Sequence, residues 1–385
     1  MTGAVTAQAP RASAHERARM LELFVRLCEI ESESRRERAV ADAVRAELGP
    51  LGIEVEEDAS ASQTGSNSGN LIARIPGPEG ARTIMLCAHL DTVPLDAPVE
   101  VVREDEFFAN RNEAILGADN KAAIATMLAA VRHLIGAGGA PVGLELVFTT
   151  CEELTLLGAL ALDRGSLRSE FGFVFDHASP VGELIVASPT YFSVIADFHG
   201  RAAHAGIRPE DGHNAIAAAA AAFERIEIGR LDPESTANAG RIEGGTAANV
   251  VAERCRLELE ARSIDAARAA DIAHGMVDAL TAAASEHQCD VETMVEERFR
   301  GFRLARSEPA VLAAASALEA LAIEPEYVAS GGGSDANAFI PAGLPCLNVA
   351  NGTERNHQPD ERVAVGALEA TLDLTLGIVA ASAAG

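Results

Sequence analysis

A single lysine, Lys121, stands in this chain of 385 residues, and apart from histidine every other basic side chain is an arginine. Positive charge is scarce overall: 57 acidic residues against 31 basic ones leave a formal net charge of -26. Nucleic-acid and anionic-membrane partners need clustered positive charge, so this balance argues against both. The six cysteines, Cys28, Cys87, Cys151, Cys255, Cys289 and Cys346, form no C-x-x-C pair and fall mostly inside apolar runs. They read as reduced core residues of a cytosolic protein rather than as a disulfide framework. No apolar stretch is long enough to span a bilayer, and the first dozen residues lack the charged and apolar regions of an export signal. The expectation is a cytoplasmic protein without a membrane partner.

Apolar residues, by contrast, are plentiful. They make up 48% of the chain, which rules out wholesale disorder. The length exceeds what one hydrophobic core usually organises, so two domains are expected. Helical spacing of Met20, Leu21, Phe24 and Leu27 predicts a helix across residues 15–31. Ser34 with Glu37 reads as a capping box for a second helix that stops at Gly49-Pro50. Strands are predicted at residues 53–57 and 70–75, then along T-I-M-L-C-A-H-L-D-T-V-P from Thr83 to Pro94. Residues 99–108 form a short acidic excursion, and Asp119 then has the position of an N-cap before alanine-rich helical sequence.

An apolar strand from Leu144 ends in the adjacent pair Glu152 and Glu153, and a helix is predicted across 156–167. A strand from Phe171 ends in Asp176, and a last one from Gly343 is followed by His357. This alternation implies an α/β fold, with a mostly parallel sheet flanked by helices. Ligands of such sheets collect at the carboxyl ends of the strands, where these polar residues would meet. Between residues 190 and 297 the order becomes βαββαβ, the ferredoxin-like split motif. The reading is a catalytic domain made of residues 1–189 and 298–385, carrying an inserted domain at 190–297.

In an extended chain His89 and Asp91 project to the same side, as a metal ligand and its orienting carboxylate would. Alone, H-x-D is as readily a strand end with two ordinary polar residues, and the other landmarks change that balance. Hydrolysis of an amide at neutral pH needs an activated water, a polarised carbonyl and a proton carrier. Two metal ions about 3.5–4 Å apart supply the first two. The inventory matches this need, with Asp119 bridging, His89 and Asp176 completing one site, Glu153 and His357 the other, and Glu152 left as general base. Such mixed nitrogen and oxygen ligands accept zinc, cobalt or manganese.

The strings H-L-D-T-V-P at His89, L-G-A-D-N-K-A at Leu116, C-E-E at Cys151 and Asp176 resemble, in order, those of a family of zinc exopeptidases. H-A-G at His204 and G-G-G-S-D-A-N at Gly331, leading to His357, extend the resemblance over nearly the whole chain. The family includes peptidase T, carboxypeptidase G, aminoacylase and succinyl-diaminopimelate desuccinylase, and the peptidase T-like branch is the most similar. The resemblance implies two divalent ions, zinc foremost, and an inserted lid that often dimerises. It implies the metal roles above, with Asp91 the partner of the His89 imidazole. It makes His204 the donor to the oxyanion, in several members from the opposite subunit.

Asn249 and Arg262 match substrate-binding positions of the family. Arginine is shaped to hold a carboxylate through two hydrogen bonds, although a strand-end salt bridge is the other reading of Arg262. Gly332, Gly333 and Ser334 either offer backbone donors to substrate or simply form a turn. Members of the family often follow the bridging aspartate with another through a cis peptide, where Asn120 stands here, and often have a third acidic residue where Leu154 stands. The activity implied is metal-dependent hydrolysis of small peptides, aminopeptidase- or tripeptidase-like. An N-acyl amino acid deacylase or carboxypeptidase G-like amidohydrolase is the alternative, and a catalytically silent binding protein a third reading.

Overall fold

The computed structural model describes residues 10–383. Residues 1–12, read for an export signal, lie largely outside them. Among the described residues no helix is long and apolar enough to cross a membrane, and all six cysteines are free and buried. The chain forms two compact units: one runs to Val186 and resumes over Leu304–Ala329 and from Ser334 onward, and the other is Ala187–Arg303 with Ser330–Gly333.

In the first unit the strands lie side by side in the order Val55–Glu57, Leu71–Ile75, Gly143–Thr149, Thr83–His89, Phe171–Val174, Cys346–Val349 and Glu183–Ser188. The four from Gly143–Thr149 to Cys346–Val349 are mutually parallel, and antiparallel pairs flank them. Every residue of Gly143–Thr149 is buried. Successive side chains of a strand point to opposite faces, so that pattern requires cover on both. Helices Ala118–Gly136 and Pro309–Ala320 pack on strands of the sheet, Val365–Ala381 packs on both helices, and Ala14–Cys28 on the first.

The excursion at residues 99–108 is a hairpin, Val101–Glu104 with Phe107–Asn110. Thr353–Glu354 and Arg362–Ala364 extend it into a four-stranded sheet. His357 sits in the loop joining the last two strands. Two local expectations give way. Ser34 and Glu37 form no capping box, because helix Arg38–Leu48 begins without a side-chain cap. The Ser34 hydroxyl donates instead to Asp91 at 2.7 Å, and the buried Glu37 carboxylate accepts from the amides of Arg35 and Cys151. A capping box does form at Ser13 and Glu16, ahead of Ala14–Cys28. The helix expected across 156–167 is two short pieces, because Leu162 and Asp163 turn extended and the Asp163 side chain caps a new 3-10 turn at Arg164–Ser166.

The second unit is one antiparallel sheet with helices on one face. Its strand order is Gly229–Asp232, Ser235–Gly244, Arg254–Ser263, Thr190–His199 and Asp290–Phe299. Helix Ala215–Phe223 is capped by Asn214 and helix Ala266–Glu286 by Asp265, each side chain accepting from two amides of the first turn. Burial alternates along Arg254–Ser263, so Cys255, Leu257, Leu259 and Ala261 face the helices while Arg256, Glu258 and Glu260 face outward. Without its first short strand, the order is that of the ferredoxin-like motif.

Candidate metal centre

The polar residues that follow the parallel strands meet at one edge of the central sheet. His89 ends its strand, with its Nδ1 3.0 Å from the main-chain oxygen of Asp91 and its Nε2 3.2 Å from Asp119 Oδ1. Asp176 Oδ1 is 3.6 Å from the same Nε2. On the far side of Asp119, His357 Nε2 lies 3.4 Å from Asp119 Oδ2 and 2.9 Å from Glu153 Oε1. Asp119 therefore stands between two imidazoles, each with a further carboxylate.

The Asp91 carboxylate has a wider task than its histidine. Its Oδ1 is 3.5 Å from His89 Nδ1, and its two oxygens accept the amides of Glu152 and Glu153 at 2.9 and 3.1 Å. One buried anion thus orients the chain that carries both glutamates. Cys151 and His357 both adopt left-handed backbone, with φ of 53° and 65°. Non-glycine residues rarely do so, and such positions concentrate at functional turns. The peptide between Asp119 and Asn120 is cis. Lys121, two residues on, is buried with its ammonium donating to the Ile30 carbonyl at 2.6 Å.

Electrostatics bind the cluster together. Burial, and then the charge of Asp176, push the Glu152 carboxyl well above its ordinary range. Burial likewise raises Glu153 and Asp176, with the Asp119 charge adding to each. Asp119 resists its own burial because His357 and His89 donate to it, which holds it well below the usual range. Burial disfavours the His89 cation, yet Asp176, Asp119 and Asp91 hold its pKa well above the ordinary value. Bonds to Asp119 and Glu153 raise His357 to about 10. The cations paired with this anionic cluster are thus the two imidazoles themselves. Divalent cations suit such a donor set: His89, Glu152 and Asp176 bring ligand atoms within 4.8 Å of one another, as do His89, Asp119 and Glu153.

Several residues here had no role in the sequence reading. Asn356 Nδ2 donates to Asp119 Oδ2 at 2.8 Å. Glu361 accepts amides of the loop before Asp119. Asp335, inside the quoted glycine-rich string, is buried and accepts the Thr149 hydroxyl. Burial, together with the Asp176 and Asp91 charges, pushes it up to about 7. His177, next to Asp176 in sequence, belongs to neither ligand group.

The other expected residues belong to neither ligand group. His204 and Asn249 are exposed in the second unit, where His204 bridges Val250 and its Nδ1 accepts the Gly206 amide. Arg262 pairs with Glu260 at 3.1 Å and lies over the Tyr191 ring at 4.4 Å. The Gly332 amide donates to Ser330 Oγ and the Ser334 amide to Asn337 Oδ1. The donors expected of those two residues are therefore satisfied within the loop, as a turn requires. Gly333 is pressed against Phe299, 2.5 Å from where a Cβ would sit.

The model of peptidase family M20/M25/M40 matches residues 85–381. The YqjE protein of Bacillus subtilis is 35% identical over 361 residues, covering 94% of this chain and 97% of its own. Among solved structures, aminopeptidase PepT from Bacillus cereus is 35% identical with a TM-score of 0.87, over 96% of this chain and 99% of that one. A tripeptidase from Staphylococcus aureus is 30% identical with a TM-score of 0.91, over 98% and 100%.

Proposed function

The chain belongs to peptidase family M20/M25/M40 and is a metallopeptidase, and from that premise we propose that it is a di-metal exopeptidase releasing residues from small peptides. The observation that carries this reading is Asp119 between His89 and His357, with Asp176 beside one imidazole and Glu153 beside the other. Asp119 would bridge two divalent ions, His89 and Asp176 would complete one site, and Glu153 and His357 the other. Zinc is the ion proposed, and cobalt or manganese would fit the same donors. When bound, the ions supply a Lewis acid for the scissile carbonyl and lower the pKa of the attacking water.

Proton transfer falls to Glu152. The contacts of His357 pair it with Glu153, which supports Glu152 as the carboxylate left to accept the proton of the water and pass it to the leaving amine. A base of this kind works best with its pKa near the working pH, the direction in which burial and Asp176 move Glu152. Asp91 orients His89 and the two glutamates. His204 is proposed as the donor to the developing oxyanion, and Asn249 and Arg262 as substrate contacts. The inserted unit, residues 190–297, is proposed as a lid through which two chains dimerise. Six free buried cysteines support a reducing, cytoplasmic setting.

The likeness to an aminopeptidase and a tripeptidase supports di- and tripeptides as substrates over N-acyl amino acids. An assay of both substrate sets, before and after chelation and on restoring Zn2+, tests the proposal. Turnover of peptides that vanishes on chelation is expected, with circular dichroism unchanged because the sheet has an apolar core of its own. Turnover confined to N-acyl amino acids would make the protein a deacylase, and turnover of neither set would refute the small-peptide reading.

A further inference from the structure

We propose that Glu361 is a positioning residue that sets Asp119 between the two imidazoles by holding the backbone of the loop from Leu116 to Asp119. The inference rests on the di-metal reading above. Glu361 is 1% exposed, although residues 357–360 immediately before it are all exposed. Its Oε2 accepts the amides of Leu116 and Gly117, both at 2.8 Å, and its Oε1 accepts the amide of Asp119 at 3.0 Å. Gly117 has a φ of 73°, and this left-handed turn lets neighbouring N–H groups converge on one anion. Three converging donors need a partner that only accepts. A carboxylate meets all three, whereas a glutamine would turn its own NH2 toward at least one of them.

The same short segment holds Asp119 at its other end. Asn356 donates to Asp119 Oδ2 at 2.8 Å, and His357 faces that oxygen at 3.4 Å. Residues 356–361 therefore grip both the side chain and the main chain of Asp119, a residue 242 positions from Glu361 in sequence. The spacing between the bridging carboxylate and the His357 ligand is thus set by one clamp rather than by two independent loops. A buried anion is expensive, and three N–H bonds offset that burial only while the loop keeps this shape. Without the clamp the loop can shift, and the Asp119 carboxylate loses its fixed register with both imidazoles.

The test compares wild type with Glu361→Gln and Glu361→Asp, each stripped by chelation and titrated with Zn2+ against a competing chromophoric chelator. The visible absorption of the Co2+ forms is recorded alongside. Glu361→Gln is expected to match wild type in circular dichroism, to bind Zn2+ about 10–100-fold more weakly, and to shift the cobalt bands. Glu361→Asp keeps the charge but falls a methylene short, and should lie between the two. In metal-free wild type the amides of Leu116, Gly117 and Asp119 should exchange their hydrogens slowly. Equal Zn2+ affinity with an unchanged cobalt spectrum in Glu361→Gln overturns the proposal. Should neither variant fold, rapid exchange at those three wild-type amides overturns it and slow exchange supports it. A folded wild type that binds neither Zn2+ nor Co2+ refutes the di-metal reading itself, and this inference with it.

Discussion

On the outer face of the second unit Arg256 pairs with Asp197 and Glu258 at the surface, whereas at the edge of the central sheet Glu152, Glu153 and Asp176 crowd together largely out of water. The first arrangement is screened by solvent, and exposed pairs of that kind contribute about 0–1 kcal/mol each. In the second, burial raises the pKa of Glu152, Glu153 and Asp176, while Asp119, held between two imidazoles, is lowered. Carboxylates crowded in this way weaken a fold unless cations join them, so the cluster has a use beyond stability. On the proposed reading, charge at the sheet edge serves chemistry, whereas charge on the antiparallel sheet is solvated surface.

That contrast should be widest for Glu152→Gln. The variant is expected to keep its metal and lose about 10²–10⁴-fold in turnover, because proton transfer is worth that much. Metal analysis beside kinetics checks it, and loss of metal along with activity would assign the base to Glu153 instead. His204→Ala is where the contrast can break, since His204 is a surface residue of the second unit. As an oxyanion donor it should contribute about 10²–10³ in kcat with metal content unchanged. Mixing His204→Ala with Glu152→Gln subunits shows whether it acts across a dimer: recovered activity means action in trans, and a dead mixture with verified subunit exchange means it does not.

Beneath its sheet the second unit depends on packing rather than charge. Leu257 is fully buried among Val194, Ala196 and Leu280 in the same core, so Leu257→Ala should destabilise that unit by about 2–5 kcal/mol, read by denaturant melting. The smallest effect belongs to a surface carboxylate. Hydrogen bonds from Arg38, joined by the Gly69 amide and Arg45, hold Glu57 at about 2 against an ordinary 4.5. A pKa lowered by folding stabilises above the ordinary value and is lost as pH falls through the folded one. The melting-temperature gap between wild type and Glu57→Gln should therefore be full above about pH 4.5 and close toward pH 2. It should correspond to under about 1 kcal/mol.

The site residues that sequence reading brought together share one signal: His89, Glu153 and Asp176 each follow an apolar run, and the sheet carries them to a common edge. Apolar runs are legible because a strand buried on both faces tolerates little else. Residues defined by tertiary partners leave no such trace. Ser34 and Glu37 have the spacing of a capping box, yet Asp91 and Cys151, 57 and 114 positions away, take their side chains. Glu361 looks like part of a charged surface turn, T-E-R-N-H-Q-P-D-E-R, until the loop before Asp119 folds over it. The strand Gly229–Asp232 escapes notice for a simpler reason, since its sequence G-R-L-D has no apolar alternation and its residues are exposed or half-buried.

Lys121 makes the protein's side chains nearly invisible to amine chemistry. It is the chain's only lysine, it is 2% exposed, and its ammonium is held on the Ile30 carbonyl. An acylating reagent can reach that nitrogen only from conformations in which the segment after helix Ala14–Cys28 has parted from the loop that carries Asp119. Mass spectrometry of Lys121 acylation would therefore count openings of that loop directly, at one position and without an introduced label, and the count should rise on chelation if Asp119 binds metal as proposed.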